Sequence, residues 1–303
     1  MEGGSRKAVV AAAIANGGVA VAKFVGFGVT GSASMLAEGV HSVADTSNQV
    51  LLLVGGSRAK RAATPQHPFG YGRERYFWSF VVALILFTLG SLFALYEGVE
   101  KVRHPHEISS LGWAIGILTF GIVLEFFSLR TAVIESKEAR RRAGSLWKFV
   151  RTSKSPELPV VLLEDIGAMS GLAFALVGVL MAELTGNPRW DAVGSIAIGL
   201  LLGVIAVILV IEMKSLLIGE AASAAQEQAI REALEGDRHV RRLIHMRTQH
   251  LGPDELLVGC KIELADVADA RSVAECIDAL EQQVRQAVPE ARVLYLEPDV
   301  ARV

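Results

Sequence analysis

The chain has 303 residues, 51% hydrophobic and 20% charged, with a formal net charge of −2. Its mean hydropathy is +0.41, whereas a soluble domain carries about a quarter charged residues. These values exclude a disordered chain and a dedicated nucleic-acid binder. The 29 Gly and 9 Pro follow no period, which excludes a collagen-like or low-complexity chain. Two cysteines make neither a disulfide framework nor a four-cysteine zinc site. What remains is a polytopic membrane protein with a smaller soluble part.

Six stretches reach the roughly 20 apolar residues that a membrane-crossing helix needs. They are 8–30, 32–56, 75–102, 111–134, 159–184 and 191–217. The first is too long for a cleavable signal and lacks a small-residue cleavage site. Lys and Arg set the orientation. Arg6 and Lys7 precede span 1, and Arg58, Lys60, Arg61, Arg73 and Arg75 surround the link from span 2 to span 3. Lys137, Arg140, Arg141, Arg142, Lys148, Arg151 and Lys154 fill the link from span 4 to span 5. The alternate links are poor in cations, so both termini are expected on the cytoplasmic (or matrix) side. The absence of a transit-like leader before span 1 points to a bacterial inner membrane. No internal repeat is visible, which counts against transporter folds made of two similar halves.

After Gly219 the composition turns polar. Residues 224–236 predict an amphipathic helix closed by Gly236. HVRRLIHMRTQHLG and DELLVGCKIEL predict two strands around a Gly252-Pro253 turn. Residues 272–288 predict a second helix and ARVLYLEP a third strand. The expected fold is an all-α six-helix transmembrane domain over 1–219 and a small α+β domain over 220–303, in the order α-β-β-α-β with helices on one sheet face. Cys260 and Cys276 lie in the latter and are expected to be reduced.

An ionisable side chain inside a span is costly unless it meets water, a partner or an ion. Span 2 carries Glu38, His41, Asp45 and Asn48, at steps of 3, 4 and 3 that share one helical face. His41 and Asp45, one turn apart, can converge on a divalent ion. Glu38, nearer the external end, is as compatible with solvation or packing as with ligation. Span 5 carries Glu164 and Asp165. Adjacent helical residues diverge by about 100°, so only one can face the span 2 pair squarely. Glu125 in span 4 reads either as a proton carrier beside the site or as a partner of Arg130. Asn16 and Lys23 in span 1 read as packing and snorkelling residues, and Asp191 as the N-cap of span 6. No H-E-x-x-H helix is present to support a membrane metalloprotease.

The run SMLAEGVHSVADTSNQVLLLVGG followed by HPFGYGRERYFWS resembles the cation diffusion facilitator family of metal/proton antiporters. VLLEDIGA is similar to the subgroup that includes the zinc transporter 9 type. The resemblance implies a homodimer in the lipid bilayer, with a metallochaperone-like (ferredoxin-like) C-terminal domain for dimerisation. It implies efflux of a divalent cation, Zn²⁺ first, by proton-coupled alternating access, with no enzymatic activity, no resident cofactor and no nucleic-acid partner. The implied site is His41, Asp45 and Asp165, with Glu164 replacing the ligand that Val161 cannot supply. His41 is the natural proton-coupling group, with Glu38, Glu125 and Asn48 around it. An oxygen-rich set gives weight to Mn²⁺, Fe²⁺ or Co²⁺, and a non-transporting sensor or scaffold is the alternative class. Secondary metal positions survive only in part. His67 remains in the loop beside Thr64 and Tyr71, and His245 and Glu297 remain in the C-terminal domain beside Lys261 and Tyr295.

Overall fold

A computed structural model describes residues 33–105, 111–265 and 269–300, with positions scattered between 10 and 25. In its first helix, side chains are described from Ser42 onward except at 44. The expected first span therefore lies largely outside the described residues, as do the side chains of Lys23, Glu38 and His41.

The described chain forms two compact units. One runs to Arg58 and again from Glu74 to Lys214; the other combines Ala59–Arg73 with the chain from Ser215 onward. The first unit is helical: α1 (Ala33–Arg58), α2 (Glu74–Arg103), α3 (Leu111–Glu135), α4 (Lys137–Ala143), α5 (Leu146–Thr152), α6 (Glu157–Thr185) and α7 (Arg189–Ile218), which runs on into the second unit. Among the described residues, four helices are long and apolar enough to cross a membrane: α2, α3 from Ala114, α6 and α7. They coincide with expected spans 3 to 6, and α1, 26 residues long, with span 2.

Within this unit α1 packs on α2, and α3 on α6. Glycines let α7 approach both α2 and α6 closely. A Cβ on Gly98 of α2 would lie 2.7 Å from Ile196 Cγ1 and 2.9 Å from its backbone nitrogen. A Cβ on Gly178 of α6 would lie 3.0 Å from the Trp190 carbonyl oxygen, and one on Gly194 of α7 would lie 3.0 Å from that of Phe174. Small residues at such crossings are how helices associate where lipid offers no hydrophobic drive.

α2 contains a π-helical segment, Leu86–Leu92. Such segments are rare inside α-helices, and no residue pattern foreshadowed this one. Within it, the buried Ser91 hydroxyl donates to the Gly199 carbonyl of α7 at 2.8 Å. α4 and α5 were not expected either. Left-handed Gly144 (φ 86°) closes the first, and Ser145 caps the second by accepting from the Lys148 N–H.

The second unit holds α8 (Ala224–Glu235), β1 (Val240–Gly252), β2 (Glu255–Leu264), α9 (Ala270–Ala287) and β3 (Val293–Pro298). β2 is central, antiparallel to β1 and parallel to β3. Leu256, Val258, Cys260 and Ile262 alternate along β2 and are buried in one core with Ile230 and Leu234 of α8 and Leu280 and Val284 of α9. Ser223 and Gln226 form a capping box on α8, and Asp269 caps α9. The loop Ala59–Arg73 packs here: a Cβ on Gly72 would lie 2.8 Å from the Leu251 carbonyl oxygen.

The α2–α7 crossing predicts that Gly98→Ala costs about 1–3 kcal/mol, the usual penalty of overpacking. Gly112→Ala, with nothing within 4 Å of the added carbon, serves as the control. Unfolding of both variants in detergent checks this, and equal stability of the two would contradict the crossing.

Candidate metal centre

The centre is built on α6. Glu164 and Asp165 are 6% and 2% exposed in the middle of an otherwise apolar stretch. Their divergence around the helix sends them to different neighbours. Asn48 of α1 donates its Nδ2 to Glu164 Oε1 at 3.1 Å. Ser128 of α3 lies 3.1 and 3.2 Å from the two carboxylate oxygens of Asp165, to which its hydroxyl donates. Among the described residues Glu164 Oε2 and Asn48 Oδ1, both buried, have no hydrogen-bond partner. Both amide atoms of the fully buried Gln49, next on α1, are in the same position.

Two further acids approach. Asp45 of α1 lies within electrostatic reach of Glu164, and Glu125 of α3 within reach of Asp165. Asp45 and Glu125 are half-buried. Acids from three helices thus repel one another in a buried setting, an arrangement that calls for a cation or for protons. Among the described residues no three His, Cys, Asp or Glu side chains gather closely enough to hold a metal; His41 is outside that set.

The sequence left open which of the two acids faces α1. Glu164 is the one joined to α1, through Asn48, one turn beyond Asp45, while Asp165 turns to α3. Val161, one turn before the pair, is buried and apolar.

Three other charged residues depart from or extend the sequence reading. Asp191 is not the cap of α7. The helix begins at Arg189, whose N–H donates to Asn187 Oδ1 at 3.1 Å, and Asp191 in its first turn pairs with Lys101 at 3.0 Å. Asn-Pro at 187–188 was the overlooked cap signal. Glu157, which the sequence reading passed over, is buried at the start of α6 and holds Arg75 of α2 in a two-pronged ion pair, with Arg75 Nη2 at 2.9 Å from Glu157 Oε2. Asn16 is buried, in keeping with a packing role.

At the secondary positions, Thr64 Oγ1 and Tyr71 Oη are 3.2 Å apart and the exposed His67 ring lies 4.7 Å from that of Tyr71. In the C-terminal domain Lys261 stands opposite the exposed His245, and its ammonium reaches Glu297 at 2.8 Å and Asp299 at 2.9 Å. Hydrogen bonds to Glu297 and then Asp299 raise the Lys261 pKa above its ordinary value. A fixed cation therefore occupies Glu297. Burial pushes the Cys260 thiol up to about 11, which leaves it unreactive.

Helices long and apolar enough to cross a membrane, with buried acids between them, make up the helical unit. Residues 9–218 match the model of the cation efflux transmembrane domain, and the chain belongs to the cation efflux family. It is 34% identical over 290 residues to the human "Proton-coupled zinc antiporter SLC30A9, mitochondrial", covering 95% of this chain and 51% of the relative. It is 31% identical over 260 residues to "Metal tolerance protein C4" of Arabidopsis thaliana, covering 86% and 57%. Magnetosome protein MamM of Magnetospirillum gryphiswaldense is 23% identical over 273 residues, covering 84% and 76%. The chain spans about half the length of the first two relatives. The expectation of a bacterial inner membrane is overturned, because several of the matched relatives are mitochondrial proteins. That expectation rested on the start of the chain, which carries no such information when about half of each mitochondrial relative is spanned.

The Asn48–Glu164 bond leads to a direct expectation. Asn48→Ala removes the amide donor of the buried Glu164 carboxylate and lowers stability by about 1–3 kcal/mol. Unfolding of the purified variant in detergent checks this. Unchanged stability would show that Glu164 needs no such support.

Proposed function

We propose that the chain moves a divalent cation, Zn²⁺ first, across its membrane in exchange for protons, by alternating access to a site of His41, Asp45, Glu164 and Asp165. The observation that carries this reading is the pair of buried carboxylates on α6, beside Asp45, in a chain of the cation efflux family. Its relatives' names, proton-coupled zinc antiporter and metal tolerance protein, support both halves of the exchange. The working unit in this reading is a homodimer of six-span protomers joined through a ferredoxin-like C-terminal domain, and it catalyses no covalent reaction.

The coupling follows from ligand chemistry. A divalent cation needs neutral imidazole and ionised carboxylates, so its binding displaces protons, and protons arriving from the other side displace it. His41 contributes a group that changes charge near neutral pH. Asn48 holds Glu164, and Ser128 holds Asp165, so each acid keeps its direction when the cation leaves. Glu125 is placed to take up a proton beside Asp165. Lys261 fills the secondary site at Glu297 with a tethered ammonium, so the C-terminal domain serves as a joining module without bound metal. With Val161 in place of a nitrogen donor the ligand set is rich in oxygen, and Mn²⁺, Fe²⁺ and Co²⁺ are the next ions in order.

Flux into proteoliposomes under an imposed pH gradient tests the proposal. Zn²⁺ enters fastest of the four ions, and Asp165→Ala and Glu164→Ala each lower the rate by about tenfold or more. Flux that ignores the pH gradient would refute antiport. No flux of any ion from folded protein would favour a sensor or scaffold.

A further inference from the structure

The segment between α3 and α6 is not used by the transport site, yet it is the most strongly charged stretch of the helical unit. Between Glu135 and Glu157 it carries seven Lys and Arg and one acid, Glu138. Only Ser136 separates α3 from α4, and four residues separate α5 from α6. At 3.3–3.6 Å per extended residue, neither short helix can lie far from the end of a membrane-crossing helix.

α5 is anchored to the unit by Phe149 and Val150, both 3% exposed. Its remaining side chains point outward. Leu146 and Trp147 are 39% and 55% exposed, and Lys148 and Arg151 are exposed beside them. The Arg151 guanidinium lies 5.9 Å from the Trp147 ring centre and 3.4 Å from Glu212. On α4, Arg141 and Arg142 share the carboxylate of Glu138 while their side chains stay 75% and 65% exposed. One acid cannot neutralise two guanidinium groups, so an outward positive charge remains.

An indole and a leucine flanked by cations at the level of a helix end match the boundary between acyl chains and headgroups. The rings accept the apolar edge, and Lys and Arg reach phosphate oxygens. We propose that the α4–α5 segment binds anionic phospholipid of the adjoining leaflet. Trp147 and Leu146 enter the interface, and Lys148, Arg151 and the Arg141–Arg142 pair hold the phosphate-bearing headgroup. Each cation near an anionic surface contributes about fivefold in affinity.

The test uses the full chain in detergent, titrated with short-chain phosphatidylglycerol, with short-chain phosphatidylcholine, or with inorganic phosphate, and followed by tryptophan emission. Phosphatidylglycerol shifts the emission, and Trp147→Phe removes most of that shift. Arg141→Gln combined with Arg142→Gln, on exposed side chains, weakens binding about thirtyfold, with the unfolding midpoint in phosphatidylcholine unchanged. If that variant does not fold, Lys148→Gln alone weakens binding about fivefold. Equal binding of the two lipids would overturn the proposal. So would a response to inorganic phosphate that saturates the same signal, or unweakened binding by the folded variants. Zn²⁺ flux is not the readout, so failure here leaves the transport reading intact, and failure of transport leaves this one.

Discussion

The structure depends on two adjacent carboxylates buried in the first third of one helix. An ionised carboxylate taken out of water costs several kcal/mol unless it is paired, and Glu164 and Asp165 sit within 6% of full burial. Helical geometry prevents them from sharing a partner, so α6 needs a helix on either side. α1 supplies Asn48 and Asp45, and α3 supplies Ser128 and Glu125. A carboxylate offers about four acceptor directions. One amide or one hydroxyl occupies a fraction of them, and the buried Glu164 Oε2 has no hydrogen-bond partner among the described residues.

The other charges of the helical unit behave differently. Arg75 and Glu157 neutralise each other at the start of α2 and α6, and Lys101 neutralises Asp191 where α7 begins. These pairs are fixed by the chain itself and tie together the ends of the helices that surround the acids. Close glycine contacts at Gly98, Gly178 and Gly194 let α7 run against α2 and α6. In the C-terminal domain Lys261 pairs with the exposed Glu297 and with Asp299.

What could be read in advance was whatever depends on local periodicity. The α-β-β-α-β order after Gly219 emerged within a residue or two, because alternating burial along β2 and capping by Ser223 and Asp269 are local signals. Spans 3 to 6 emerged for the same reason. The acids at 164 and 165 stood out because charge inside an apolar run is costly. Which acid faces α1 was not legible, since it depends on how α6 is rotated against its neighbours. Glu157 was missed because it lies at a helix start, where an acid is unremarkable, and only its distance from Arg75 reveals the pair. Asp191 was read from its own position at the helix start, and Lys101, 90 residues earlier, carried the missing part. The π-helical turn at Leu86–Leu92 has no local pattern that announces it.

The central claim is that the buried acids exchange protons for a divalent cation. Its most direct measurement is the number of protons released when Zn²⁺ binds the purified chain, obtained by calorimetry in buffers of different ionisation enthalpy. The account predicts proton release by the native chain, and a smaller release by Glu164→Gln combined with Asp165→Asn, which cannot ionise at those positions. Zn²⁺ binding without proton release, or release unchanged in that double variant, would contradict it.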